Sequence, residues 1–258
     1  MADYRTPGIR TVPAAGTRAD IDVGLRAYML KVYNLMAAGL VITGLAAYGL
    51  FAAATTSDPS LAVGQLNGTY ITQLGAAIYT SPLRWVLMLA PLAAVFFLSF
   101  RVHKMSVGAA QATFWGYAAL VGLSLSTIFL VFTQESITQV FFITAASFGA
   151  LSLFGYTTKR DISGWGSFLF MGVIGILIAM VVNIFLASPA LTFAISVIGV
   201  LVFAGLTAYD TQRIKEMYFE GDGQLVAGRK AIMGALTLYL DFINMFMFIL
   251  QLFGNRNS

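Results

Sequence analysis

From Ile162 to Tyr209 the chain carries no charged side chain. That stretch is about twice the roughly 20 residues a helix needs to cross a bilayer. It therefore predicts two crossings, not one buried core helix. Composition extends the point to the whole chain. Of 258 residues, 59% are hydrophobic and only 10% are charged, where a soluble domain carries roughly 25%. A soluble domain of this size cannot hide so much apolar surface, so lipid is the solvent for most of the chain. The expected fold is all-α and integral to the membrane.

Sparse charges mark the spans. Tyr33 to Ala54 is an uncharged run that predicts span one, and Arg84 to Arg101 bracket span two, with Pro91 as a kink. Span three lies inside Met105 to Gln134, and span four runs from Ser136 to Thr158. Ser188-Pro189 divides the long uncharged stretch into spans five and six, because proline is a helix boundary there. Span seven runs from about Ala231 to Phe253 and holds one charge, Asp241. Residues 55 to 83 form the longest loop at the outer end.

The loops sort by charge. The N-terminal segment and loops two-three, four-five and six-seven hold 13 of the 15 basic residues, leaving only Arg84 and Arg256 for the other side. Basic residues concentrate on the cytoplasmic face. The split predicts a cytoplasmic N-terminus, an external C-terminus and an odd number of crossings. Residues 1–24 read as a mobile cytoplasmic tail, and residues 25–258 as the seven-helix domain. The segment before span one is too charged for a signal peptide, with Asp3, Arg5, Arg10, Arg18, Asp20 and Asp22.

Composition also removes several chemistries. There is no cysteine, hence no disulfide and no thiolate metal site, and His103 is the single histidine. The formal charge of +4 is accounted for by the topology signal, so nucleic acid is not an expected partner. Ser124 in Gly122-Leu123-Ser124 lies mid-span with no base beside it, which argues against an intramembrane serine hydrolase. No catalytic residues and no cofactor are expected, and the chain does not read as an enzyme.

Asp241 is the most informative residue. A carboxylate inside a span costs several kcal/mol unless it is paired, protonated or wetted. It serves either as a structural hydrogen-bonding group or as a proton or cation site. Asp210 closes the inner end of span six in Ala208-Tyr209-Asp210-Thr211-Gln212. A single loop joins spans six and seven, so the two acids fall near the same leaflet on consecutive helices. Two such carboxylates cannot both ionise cheaply, and they are expected to share a proton. The pair then serves as a pH sensor, and when deprotonated offers two hard oxygen ligands to Ca²⁺. Arg101 is a snorkelling anchor unless it reaches this pair. Glu135, alone in its short outer loop, is a solvated loop acid or a means of attracting cations to an outer mouth. Asn34, Asn183 and Asn244 are expected to hydrogen-bond between helices.

Tyr209-Asp210-Thr211-Gln212, Leu238-Tyr239-Leu240-Asp241-Phe242-Ile243-Asn244 and Gln251-Leu252-Phe253-Gly254 resemble the C-terminal signature of the Bax inhibitor family, the transmembrane Bax inhibitor motif group. Lys159-Arg160-Asp161-Ile162-Ser163-Gly164-Trp165-Gly166 is similar to its bacterial members. The likeness spans roughly residues 26 to 254. It implies seven helices with span seven central and six around it. It also implies a pH-sensitive calcium leak channel in which Asp210 and Asp241 form the sensor and the ion pathway. A latch arginine of the second span falls at or near Arg101, where the family's basic cluster is denser than Arg101-Val102-His103-Lys104. Some bacterial members are linked instead to modulation of a membrane-bound AAA protease. The resemblance therefore implies a bacterial inner membrane, the lipid bilayer and calcium as partners, and a rival role in which the chain binds a membrane protease or another membrane protein.

Overall fold

Helix boundaries fall where side chains can replace the missing backbone partners of a helix end. The computed structural model describes residues 18–257. The seven spanning helices are α1 (Arg18–Ala54), α2 (Leu83–Arg101), α3 (Val107–Leu125), α4 (Gln134–Thr157), α5 (Trp165–Leu186), α6 (Pro189–Glu216) and α7 (Gln224–Phe253). Ser106 Oγ caps α3 by accepting from Ala109 N, and Thr133 Oγ1 caps α4 by accepting from Ser136 N. The α5–α6 boundary falls at the expected Ser188-Pro189. Ala187 turns left-handed with φ 46°, Ser188 Oγ accepts from Leu191 N, and Pro189 occupies the first turn. Proline is tolerated there because its missing N–H would have had no intrahelical partner.

All seven helices are long and apolar enough to cross a membrane, as the sequence predicts. The first differs in extent. α1 begins at Arg18, well before Tyr33, so residues 18–24 of the expected tail are helical. The part of that tail from 1 to 17 lies outside the described residues. Span three lies inside its expected limits. α3 stops at Leu125, and a separate helical turn, Ile128–Val131, leads to α4.

α7 is central. Of its apolar stretch 61% is buried, against 6% for α2 and 11% for α5. It packs directly against α1, α3, α4 and α6, while α2 leans mainly on α3 and α5 on α6. The six surrounding helices therefore stand in two tiers. α7 is one unbroken helix of 30 residues, about 45 Å long at 1.5 Å per residue. Its start is tied to the basic end, where Arg229 Nε donates to Met105 O at 2.7 Å. Its far end is tied to the α3–α4 loop, where Thr133 N donates to Asn255 O and Asn257 N to Val131 O. α7 thus runs without a break from the basic end of the bundle to the α3–α4 loop.

Tight crossings depend on missing side chains. A Cβ on Gly122 of α3 would collide with Thr43 O of α1, and one on Gly155 of α4 with Ala208 O of α6. One element departs from an all-helical chain. The loop after α1 folds into a three-stranded antiparallel sheet of β1 (Thr55–Thr56), β2 (Gly64–Leu66) and β3 (Thr69–Ile71), in the order β1-β3-β2. β2 and β3 meet through Asn67-Gly68, both at positive φ, the backbone a two-residue hairpin requires. Asn67 Nδ2 ties the hairpin to the bundle by donating to Leu130 O at 3.2 Å.

Candidate functional site

The antiparallel α6–α7 pair sets the register of the two acids. Gly234 of α7 lies against Ile214 of α6, and further along Gly199 of α6 lies against Phe248 of α7. Between those two contacts the same register brings Asp210 and Asp241 together. Asp241 is 4% exposed and Asp210 is 9% exposed. Each carboxyl lies within hydrogen-bonding reach of the other. Asp241 Oδ2 is buried without a hydrogen-bond partner among the described residues. Two ionised carboxylates offer each other no donor, whereas a single proton between them supplies one. Arg213, one turn on along α6, lies close enough for its charge to act on Asp210.

The surroundings of the pair are more polar than its sequence context suggests. Thr211, beside Asp210, accepts from or donates to Ser152 of α4 at 2.9 Å, and Ser152 meets Tyr33 OH of α1 at 2.6 Å. Thr211 Oγ1 also donates to Thr207 O at 2.7 Å. With its proton committed there, Thr211 accepts from Ser152, and Ser152 in turn accepts from Tyr33. This hydroxyl chain crosses three helices beside the acids. Gln212, 6% exposed, accepts from Ile162 N at 2.9 Å and donates to Arg160 O at 2.8 Å. It fastens the α4–α5 loop to the helix that carries Asp210. In that loop Ser163 donates to Asp161 through both its hydroxyl and its backbone N–H, which holds the exposed carboxyl below the usual aspartate range. On the opposite face of α7, Tyr239 OH meets Thr43 Oγ1 at 2.6 Å and Phe114 edge-on at 5.7 Å.

Arg101 is not brought to the acids. It stands exposed at the end of α2, its guanidinium 5.9 Å from the Phe97 ring centroid. Glu135 is exposed in the first turn of α4, where a negative charge complements the helix dipole. Of the three asparagines, Asn183 does bond from α5 to Thr192 of α6, at 2.7 Å. The expectation fails for the other two. Asn244 donates to Leu240 O of its own helix at 2.8 Å, and Asn34 lies on an exposed face. Among the described residues no three acidic or histidine side chains gather as a metal-binding group. The pair offers two carboxylates, fewer oxygens than the roughly six to eight a calcium ion takes.

Seven apolar helices, six of them around a central one that carries a buried acid, define an integral membrane bundle. The family model described as Inhibitor of apoptosis-promoting Bax1 matches residues 25–258. A Caulobacter vibrioides protein of undescribed function is 46% identical over 259 residues, covering 100% of both chains. The Escherichia coli K12 inner membrane protein YbhL is 45% identical over 236 residues, 90% of this chain and 93% of its own. A Rickettsia prowazekii protein, likewise undescribed, is 40% identical over 258 residues, again 100% of both. The chain therefore belongs to the Bax inhibitor family.

Proposed function

We propose that this chain is a pH-dependent leak for calcium through the helical bundle, with Asp210 and Asp241 as sensor and cation site. The observation that carries the reading is the buried, mutually facing acid pair, one member of which sits on the central helix. An unpaired intramembrane charge costs roughly 2.5–3.5 kcal/mol or more. A purely structural role is served more cheaply by an uncharged amide. A pair that gains or loses one proton alters the local charge by a full unit where helices α6 and α7 are locked together. Reconstituted into calcium-dye-loaded vesicles, the protein is expected to pass calcium at a rate that changes with pH. A rate that is flat with pH and no higher than in empty vesicles would remove the reading. It would favour the protein-binding role, which a pull-down with and without residues 1–24 would then test.

The same reading places the chain in the inner membrane, as its relative YbhL is named, with the N-terminus in the cytoplasm. Basic side chains gather at one end of the bundle, where Lys215 Nζ donates to Tyr156 O at 2.8 Å and Lys230 Nζ to Met217 O at 2.9 Å. Lysines at these carbonyls complement helix C-termini. A reporter fused after Ser258 should read as external, and one inserted after Lys159 as cytoplasmic. Cytoplasmic signals at both positions would contradict this orientation.

A further inference from the structure

A crevice of about 700 Å³ runs along α7 from Leu240 to Gln251. Pro91 of α2, Tyr117 of α3, Ile176 of α5 and Phe203 of α6 stand around it. At the end away from the acid pair it meets a second hollow of about 370 Å³, which shares Asn183, Thr192, Ser196 and Gln251 with it and ends at Arg256. The crevice spans about 16 Å along α7 and lies within the membrane-spanning helices. Its rim includes Met88 and Leu177, 53% and 56% exposed, so it opens sideways toward lipid.

Its polar groups divide in a telling way. Inside the crevice Asn183 accepts from Ser188 N, Ser196 Oγ donates to Thr192 O and Asn244 Nδ2 donates to Leu240 O, while the Tyr117 and Ser124 hydroxyls on its walls have no side-chain hydrogen bond among the described residues. The rest of the lining is mostly aliphatic and aromatic, and water needs two to four polar partners to occupy a buried site. The mouth is polar and carries a charge. Gln251 and the exposed Arg256 have no side-chain partner among the described residues. A mainly apolar slot, ending in an amide and a guanidinium, matches a ligand with a hydrocarbon chain at one end and an anionic oxygen group at the other.

We infer that the crevice between α2 and α5 binds one anionic glycerophospholipid of the surrounding bilayer. Its phosphate meets Arg256 and Gln251, and one acyl chain lies along α7 toward Leu240. The bound chain fills the space beside the central helix, so the lipid is a resident of the bundle and not of the annulus. The inference stands whether or not the protein conducts calcium, because its test reads lipid binding alone.

The test uses full-length protein in vesicles that contain a trace of phosphatidylglycerol bearing a photoreactive diazirine at the acyl terminus. Phosphatidylcholine with the same group is the comparison probe. Labelling by the anionic probe is expected to concentrate on residues 240–243 of α7 and 173–176 of α5, at roughly one lipid per chain. Arg256→Gln should reduce that labelling about tenfold, the loss of one charge-assisted contact. Arg84→Gln, which removes the other arginine of the same end, should leave it unchanged. Val173→Phe, which adds bulk to the crevice wall, should block labelling of α7 even with Arg256 intact. Equal labelling by the two probes would overturn the proposal, as would labels spread evenly over the outer faces of all helices. So would an Arg256→Gln variant that labels as well as the parent, an outcome that needs no core substitution to be interpretable.

Discussion

Asp241→Asn is expected to leave a folded protein whose calcium flux no longer responds to pH. Asparagine keeps the shape of aspartate and its hydrogen-bonding reach to Asp210, but it cannot ionise. Charge is therefore the only large change at a position that is 4% exposed on the central helix. A single gating proton carries up to about tenfold in an equilibrium per pH unit, and the ratio of acid to alkaline flux should fall to about one. Asp210→Asn should act in the same direction. The double variant should add little to Asp241→Asn, since side chains that act as one unit are not additive. Flux measured across a pH series in vesicles decides the matter. A pH response preserved in Asp241→Asn would remove this acid from gating.

The second large effect concerns the helix that presents Asp210. Gly155→Val is expected to destabilise the bundle, because a Cβ there runs into Ala208 O and a backbone atom cannot rotate away. Overpacking of this kind costs typically about 1–3 kcal/mol, and the second branch of valine pushes further into α6. Gly155→Ala should lose less. Thermal unfolding in detergent, followed by size-exclusion fluorescence, should rank parent above Ala above Val. An unshifted midpoint for the valine variant would mean that α4 and α6 do not approach as closely as they do here.

How much of this was legible in the sequence follows from range. The spans were, because length and hydropathy are local properties, and the Ser188-Pro189 boundary is local chemistry. The acids were legible as well, since a charge inside a span such as Asp241 has no ordinary explanation. Their proximity was only half legible: one loop joins their helices, but the register rests on Gly234 against Ile214. The hydroxyl chain was hidden. Tyr33 and Ser152 stand 119 residues apart, and serine in an apolar helix ordinarily bonds to its own backbone. The small sheet, by contrast, is signalled only by Asn67-Gly68 between Leu66 and Thr69, a two-residue cue set among long helical signals. Arg101 illustrates the opposite limit. Its place at the end of span two was clear, yet only the fold shows it resting on Phe97 and away from the pair.

The account turns on Asp210 and Asp241 behaving as one titrating unit, and carboxyl infrared spectroscopy reads that directly. In the parent protein a protonated carboxyl band should persist at neutral pH, and it should disappear in Asp241→Asn, which removes the acid buried on the central helix. If instead every carboxyl in the parent ionises as exposed aspartates do, near pH 4, no shared proton exists and the sensor described here is contradicted.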